Sequence, residues 1–154
     1  MRISKVETKS IQDRMGFTIS WTQWLRTDIE NFKRFQWMLK NFLRHSTVTE
    51  MSPETVVLTS TNNSEQTFVV LRTIPPNYPT FCKTNRDPYT EDVCIALVLM
   101  VEFGIAEEID AGTTTYISDA LEYVHRQYPL KMYAKIKEYL NPVYKKIDNP
   151  INHE

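Results

Sequence analysis

Nine carboxylates, Asp87, Glu91, Asp92, Glu102, Glu107, Glu108, Asp110, Asp119 and Glu122, fall between residues 87 and 124 with no Lys, Arg or His among them. Paired Asp and Glu can bind Mg²⁺ or divide acid and base roles, so a metal-dependent hydrolase is one reading of this block. Helix electrostatics offers a simpler one. Asp87, Glu91 and Asp92 precede or open an apolar run, where each negative charge at the positive end of a helix dipole is worth roughly 0.3–1 kcal/mol. Asp119 stands in the same relation to the helix that follows. Glu107, Glu108 and Asp110 lie on an alternating stretch, where acids keep an edge strand solvated and deter unwanted pairing, or face a partner.

Other chemistry finds less support in the residues. His45, His125 and His153 have no His or Cys at ligand spacing, and Cys82 and Cys94 are too far apart for a zinc knuckle. His45-Ser46-Thr47 looks like half of the twin His-x-Thr signature of two-histidine phosphoesterases, but the second copy is absent. Gly16, Gly104 and Gly112 are the only glycines, too few and too scattered for a dinucleotide fingerprint or a phosphate-cradling loop. No catalytic residue, cofactor or metal ligand is assigned, and the chain is expected not to be an enzyme.

Charge is sorted along the chain. Residues 1–86 carry +5, residues 87–124 carry −9 and residues 125–154 carry +3, which leaves a net charge of −1. Such segregation speaks to association with partners or with further copies. A length of 154 residues, 42% of them hydrophobic and 24% charged, suits one soluble domain spanning 1–154 that needs no disulfide or metal. The longest apolar run, Val93 to Val101, is far short of the about 20 residues a membrane span requires. The opening residues carry charges where a signal peptide would be apolar. An intracellular, cytoplasmic location with no membrane partner is expected. Abundant Ile, Asn, Lys and Tyr with few Gly hint at an A·T-rich source such as a virus or phage.

The elements that must position these residues follow from periodicity. Ser20-Trp21-Thr22-Gln23 reads as a capping box, and Trp21, Leu25, Ile29, Phe32, Phe35, Leu39, Phe42 and Leu43 recur at helical spacing. A long amphipathic helix from Ser20 to about Arg44 is predicted. Thr55 to Thr61 and Gln66 to Ile74, joined through Asn62-Asn63, predict a hairpin with both faces covered. Val93 to Phe103 predicts a buried helix rather than a buried strand, ended by Gly104 in the left-handed conformation. A second hairpin is expected over Ile105–Asp110 and Thr113–Ile117, then helices from Ser118 to Gln127 and from Pro129 to Leu140, broken at Asn141-Pro142. A helix, Gly104 and a hairpin resemble the end of a winged-helix module in outline only, and three carboxylates on such a wing would repel a phosphate backbone. The expected fold is α+β, a single domain with a long N-terminal helix and a buried central helix packed with two β-hairpins and C-terminal helices. The tail 141–154, with little apolar material of its own, is expected to need a neighbour to hold it.

Two surfaces emerge as partner candidates. On the first helix Trp37 projects about 140° to 160° from the apolar stripe, on the face of Arg26, Glu30, Lys33, Lys40 and Arg44. A Trp there is covered by another segment, anchors a partner protein, or stacks on a nucleic-acid base. The acidic stretch Glu107, Glu108 and Asp110 is the second surface. The tyrosines from Tyr123 to Tyr144 recur every five or six residues amid lysines and spread around a helix, so they form no stacking platform. The leading expectation is a small non-enzymatic protein acting through protein–protein contacts, as an assembly subunit or an accessory protein that binds a host factor. The alternative is nucleic-acid binding through the basic face and the C-terminal lysines.

Overall fold

The computed structural model describes residues 2–3, 17–84, 88–110 and 115–140. Gly16, Asp87, Gly112 with the turn and strand start around it, the Asn141-Pro142 break, and the tail with Tyr144, Lys145, Lys146 and His153 lie outside these residues. Among them the chain is α+β. The strands are β1 (Arg2–Ile3), β2 (Phe17–Trp24), β3 (Ser46–Ser52), β4 (Thr55–Ser60), β5 (Thr67–Leu71), β6 (Phe81–Thr84) and β7 (Ala106–Asp110). The helices are α1 (Ile29–Leu39), α2 (Tyr89–Glu102), α3 (Tyr116–Gln127) and α4 (Tyr133–Leu140).

The long N-terminal helix does not exist. Residues 17–24, FTISWTQW, are a strand, with Ile19, Trp21 and Gln23 buried at every second position. The expected capping box falls inside that strand. The true helix start is Asp28, whose carboxylate accepts the Asn31 N–H at 3.0 Å. From there Phe32, Phe35, Gln36 and Leu39 form the buried stripe. The helix closes after Leu39 in a tighter turn, the N–H groups of Asn41 and Phe42 bonding three residues back to Met38 and Leu39 at 3.0 and 3.1 Å, and the chain beyond is drawn elsewhere. The backbone N–H groups of Arg44 and His45 donate to the Asp92 carboxylate at 2.8–3.2 Å, so they are not available to carbonyls one helical turn back.

Two antiparallel sheets follow from the pairings. β2 is the centre of the first. Ser20 pairs with both Phe81 and Asp110, and Gln23 with both Ile3 and Ala106. A residue has two edges, so β7 lies along one side of β2, while β6 and then β1 share the other. The second sheet is β3-β4-β5. Its β4–β5 hairpin lies within the segment where one was expected, but its outer face is open: Val69 is 40% exposed, while Val56, Leu58, Phe68 and Val70 are buried on the inner face.

The expected second hairpin is also corrected. β7 pairs with β2, and Tyr116 and Ile117, expected in a strand, open α3 instead. Strict alternation along 105–110 fails at Glu108, whose φ of 54° makes it the extra residue of a bulge opposite Trp21, between the pairs Thr22–Glu107 and Ser20–Asp110. The last helix begins at Tyr133 and not at Pro129.

α2 holds the core together. Its 14 residues include twelve buried ones and it packs on α1, α3, α4 and β7, so an apolar side chain is needed on every face. It ends as its sequence suggests. Gly104 at φ 78° lets Ile105 N–H reach the Met100 carbonyl at 2.8 Å while its own N–H bonds Val101 at 3.2 Å. That double bond is the Schellman closure that favours glycine.

Candidate docking site

Trp37 lies one turn beyond Lys33 on α1, opposite the stripe of Phe32, Phe35 and Leu39. It is 66% exposed, so no described segment covers it. Together with Met38 and Arg34 it forms one wall of a groove of about 280 Å³, whose remaining lining is Lys33, Phe103 and Tyr128. Three aromatic rings and a methionine thus meet beside two cations.

Each wall is positioned by a helix end. Asn41 caps the C-terminus of α1 by donating from Nδ2 to the Trp37 carbonyl at 3.3 Å. Phe103 caps α2 immediately before the Gly104 turn. Tyr128 ends α3, its N–H bonded to the Val124 carbonyl at 2.8 Å. The loop after Tyr128 is tied down twice. Leu130 N–H donates to His125 Nδ1 at 3.0 Å, which places the proton of a neutral His125 on Nε2. The Glu102 carboxylate accepts the N–H groups of Lys131 and Met132 at 3.1 and 2.9 Å. Stacking of His125 on Tyr133 at 3.9 Å adds to this. The groove is therefore built on fixed elements rather than on a loose loop.

The basic face expected on one helix is divided by the structure. Lys33 and Trp37 are together, and Lys40 is exposed at the helix end. Arg26 precedes the helix and bridges to Thr73 in an antiparallel pair. Arg44 follows it, its guanidinium 3.1 Å from Glu91 and 4.2 Å from the centre of the Tyr123 ring. Arg34, Met38, Phe103 and Tyr128 were missed. Arg34 and Met38 could have been found from their spacing to Trp37, but Phe103 and Tyr128 come from elements far away in sequence.

The acidic block is divided as well. Asp92 is fully buried and accepts from the backbone of Arg44 and His45 and from Ser46 Oγ at 2.6 Å, so its oxygens are saturated with protein donors. Glu91 holds Arg44 and His45, Glu102 holds the loop after α3, and Glu122 accepts the Tyr133 hydroxyl at 2.7 Å. Their first duty is architectural, which the dipole argument for Glu91 and Asp92 did not anticipate. Among the described residues no three His, Cys, Asp or Glu side chains converge as metal ligands do. Glu107, half-buried, and Glu108 and Asp110, exposed, stay on the β7 edge, away from the Trp37 groove. Among the described residues no helix is long and apolar enough to cross a membrane. No protein family, curated protein or solved structure matches this chain.

Proposed function

We propose that this is a non-enzymatic protein that acts through protein–protein contacts, with the Trp37 groove as a docking face. One observation carries the reading: a two-thirds exposed Trp set among Phe103, Tyr128 and Met38, beside Lys33 and Arg34. Leaving such a ring in water forfeits roughly 25 cal/mol for each Å² of apolar surface, and burial against a partner recovers it. Trp, Tyr and Arg are also the side chains that dominate interface energetics. Nucleic-acid binding draws less from the geometry, because Arg26 and Arg44 lie off this face and Arg44 is engaged by Glu91.

The test compares the wild type with Trp37→Ala in sedimentation velocity at low salt and in affinity capture from lysate. Self-association, or a captured protein, that is lost in the variant supports the reading. A strict monomer that captures the same proteins as Trp37→Ala sinks it, and a salt-dependent shift of labelled RNA or DNA by the wild type alone transfers the face to nucleic acid.

A further inference from the structure

Two rows of side chains run along the exposed side of α1 into the Trp37 groove. Lys33 and Trp37 are one turn apart, and so are Arg34 and Met38. Each row therefore starts with a cation and ends, about 6 Å further along the axis, on an aromatic ring or a thioether. Phe103 and Tyr128 complete the lining, which contains no carboxylate. The acids nearest in sequence are engaged or only loosely held. Glu102, beside Phe103, accepts the N–H groups of Lys131 and Met132. Glu30 lies 3.8 Å from Lys33 with both side chains more than half exposed, a contact that water screens and that another carboxylate can replace. Arg34 is exposed, and among the described residues its guanidinium has no hydrogen bond or ion pair.

The walls offer side chains and no strand edge. The N–H groups of Phe103 and Tyr128 bond Leu99 and Val124 at 3.0 and 2.8 Å, and the Trp37 carbonyl is met by Asn41. An extended segment laid here would lose water from its own N–H and C=O groups and find no backbone partner. A helix brings its backbone already bonded. Charge then selects among helices. A second copy presenting the same face would set Lys33 and Arg34 against another Lys33 and Arg34, like charges across an apolar contact. The acids on its β7 edge belong to a strand and do not suit a groove that favours a helix. Nucleic acid needs cations spaced along its backbone, whereas only two stand here, beside apolar surface.

We propose, resting on the docking role given to this groove above, that its ligand is an acidic amphipathic helix of a partner protein. Apolar side chains at positions i, i+3, i+4 and i+7 of that helix seat on Trp37, Met38, Phe103 and Tyr128. Asp or Glu one turn away pair with Lys33 and with Arg34, whose planar fork takes a carboxylate through two bonds. The aromatic surface supplies affinity, and the two cations decide which helices are accepted.

The test uses the full chain and an acetylated peptide, Ser-Asp-Glu-Leu-Ala-Glu-Leu-Phe-Glu-Glu-Leu-Ala, with two relatives in which every acid is replaced by its amide or by Lys. Binding is followed by NMR. The acidic peptide should give saturating shifts at the Trp37 indole and at the amides of Lys33, Arg34, Phe103 and Tyr128, and should bind more weakly as salt rises. The amide peptide should bind about tenfold more weakly, and the Lys peptide more weakly still. Trp37→Ala should weaken the acidic peptide about thirtyfold. A Lys33→Glu, Arg34→Glu protein should prefer the Lys peptide, and the peptide series itself needs no variant that folds. Equal binding of the three peptides, lost in Trp37→Ala, keeps the docking face and overturns its acidic ligand. Acidic-peptide binding that is unchanged in Trp37→Ala overturns the proposal too. So does no binding by any peptide, and the docking face then stands or falls by self-association and capture of the wild type against Trp37→Ala. Single-stranded RNA moving the same resonances where the acidic peptide does not overturns both.

Discussion

Ser46 donates its hydroxyl to Asp92 at 2.6 Å, with both side chains buried, and this bond joins the start of β3 to the first turn of α2 across 46 residues of chain. The backbone N–H groups of Arg44 and His45 complete the cradle, so a buried carboxylate has its charge met by donors alone. Asp92→Asn replaces one acceptor with an amide that faces these donors. We expect a loss of about 2–4 kcal/mol, against about 1–2 kcal/mol for Ser46→Ala, both measured by urea unfolding. An Asp92→Asn protein as stable as the wild type would contradict the cradle.

Trp21 and Trp37 should behave as opposites. Trp21 is buried and meets Phe68 edge to face at 6.0 Å, so Trp21→Ala should cost about 3–5 kcal/mol. Trp37→Ala, at an exposed position, should change stability by less than about 0.5 kcal/mol while removing any partner contact. Equal destabilisation by the two substitutions in thermal melts would show that Trp37 is a core residue after all.

Gly104 tests backbone conformation without crowding. A Cβ built there comes no nearer than 4.0 Å to Asn31 Nδ2, so space is available and only the φ of 78° opposes a side chain. Gly104→Ala should therefore cost about 1 kcal/mol, and Gly104→Asn less, because Asn tolerates the left-handed region. Equal stability of all three proteins would argue against the turn.

Cys82 supplies a pH dependence. Burial pushes its thiol from an ordinary 9.0 up to about 12, and burial also raises the thiol of Cys94 well above its usual value. In the unfolded chain these thiols ionise near pH 9 while the folded protein keeps its protons. Stability is then fully present below pH 9 and falls as pH rises from there toward 12, by about 1.4 kcal/mol per pH unit for each thiol. Cys82→Ala should flatten that slope in urea titrations between pH 9 and 10.5, a range that about 12 and 9.0 bracket. At pH 8 iodoacetamide should label Cys82 slowly in the folded protein and quickly in urea, although the residue is only half-buried. Rapid labelling of the native protein would show an ionised thiol and remove this prediction.

Where one pattern admitted one structure, the order of residues along the chain was enough. The stretch Val93 to Phe103, apolar nearly all round and followed by Gly104, marks the body of α2 and its end, because a helix of that kind is stable only when neighbours surround it. The β-branched runs on either side of Asn62-Asn63 likewise mark β4 and β5. Residues 20–44 admitted two. Buried Ile19, Trp21 and Gln23 have strand spacing, but Gln23 is polar and hid the alternation, while the aromatic residues from Trp21 to Phe42 also match a helical stripe.

Only tertiary structure settled that choice, and for a specific reason. β2 is held by β6, β7 and β1, strands that lie up to 90 residues away, and the chain beyond α1 is held by an acid on another helix. The groove has the same origin. Phe103 and Tyr128 reach Trp37 only because three helix ends meet. Local propensity acts within a few residues of itself. Which backbone groups are left facing outward depends on pairings between distant segments, so that property belongs to the folded chain alone.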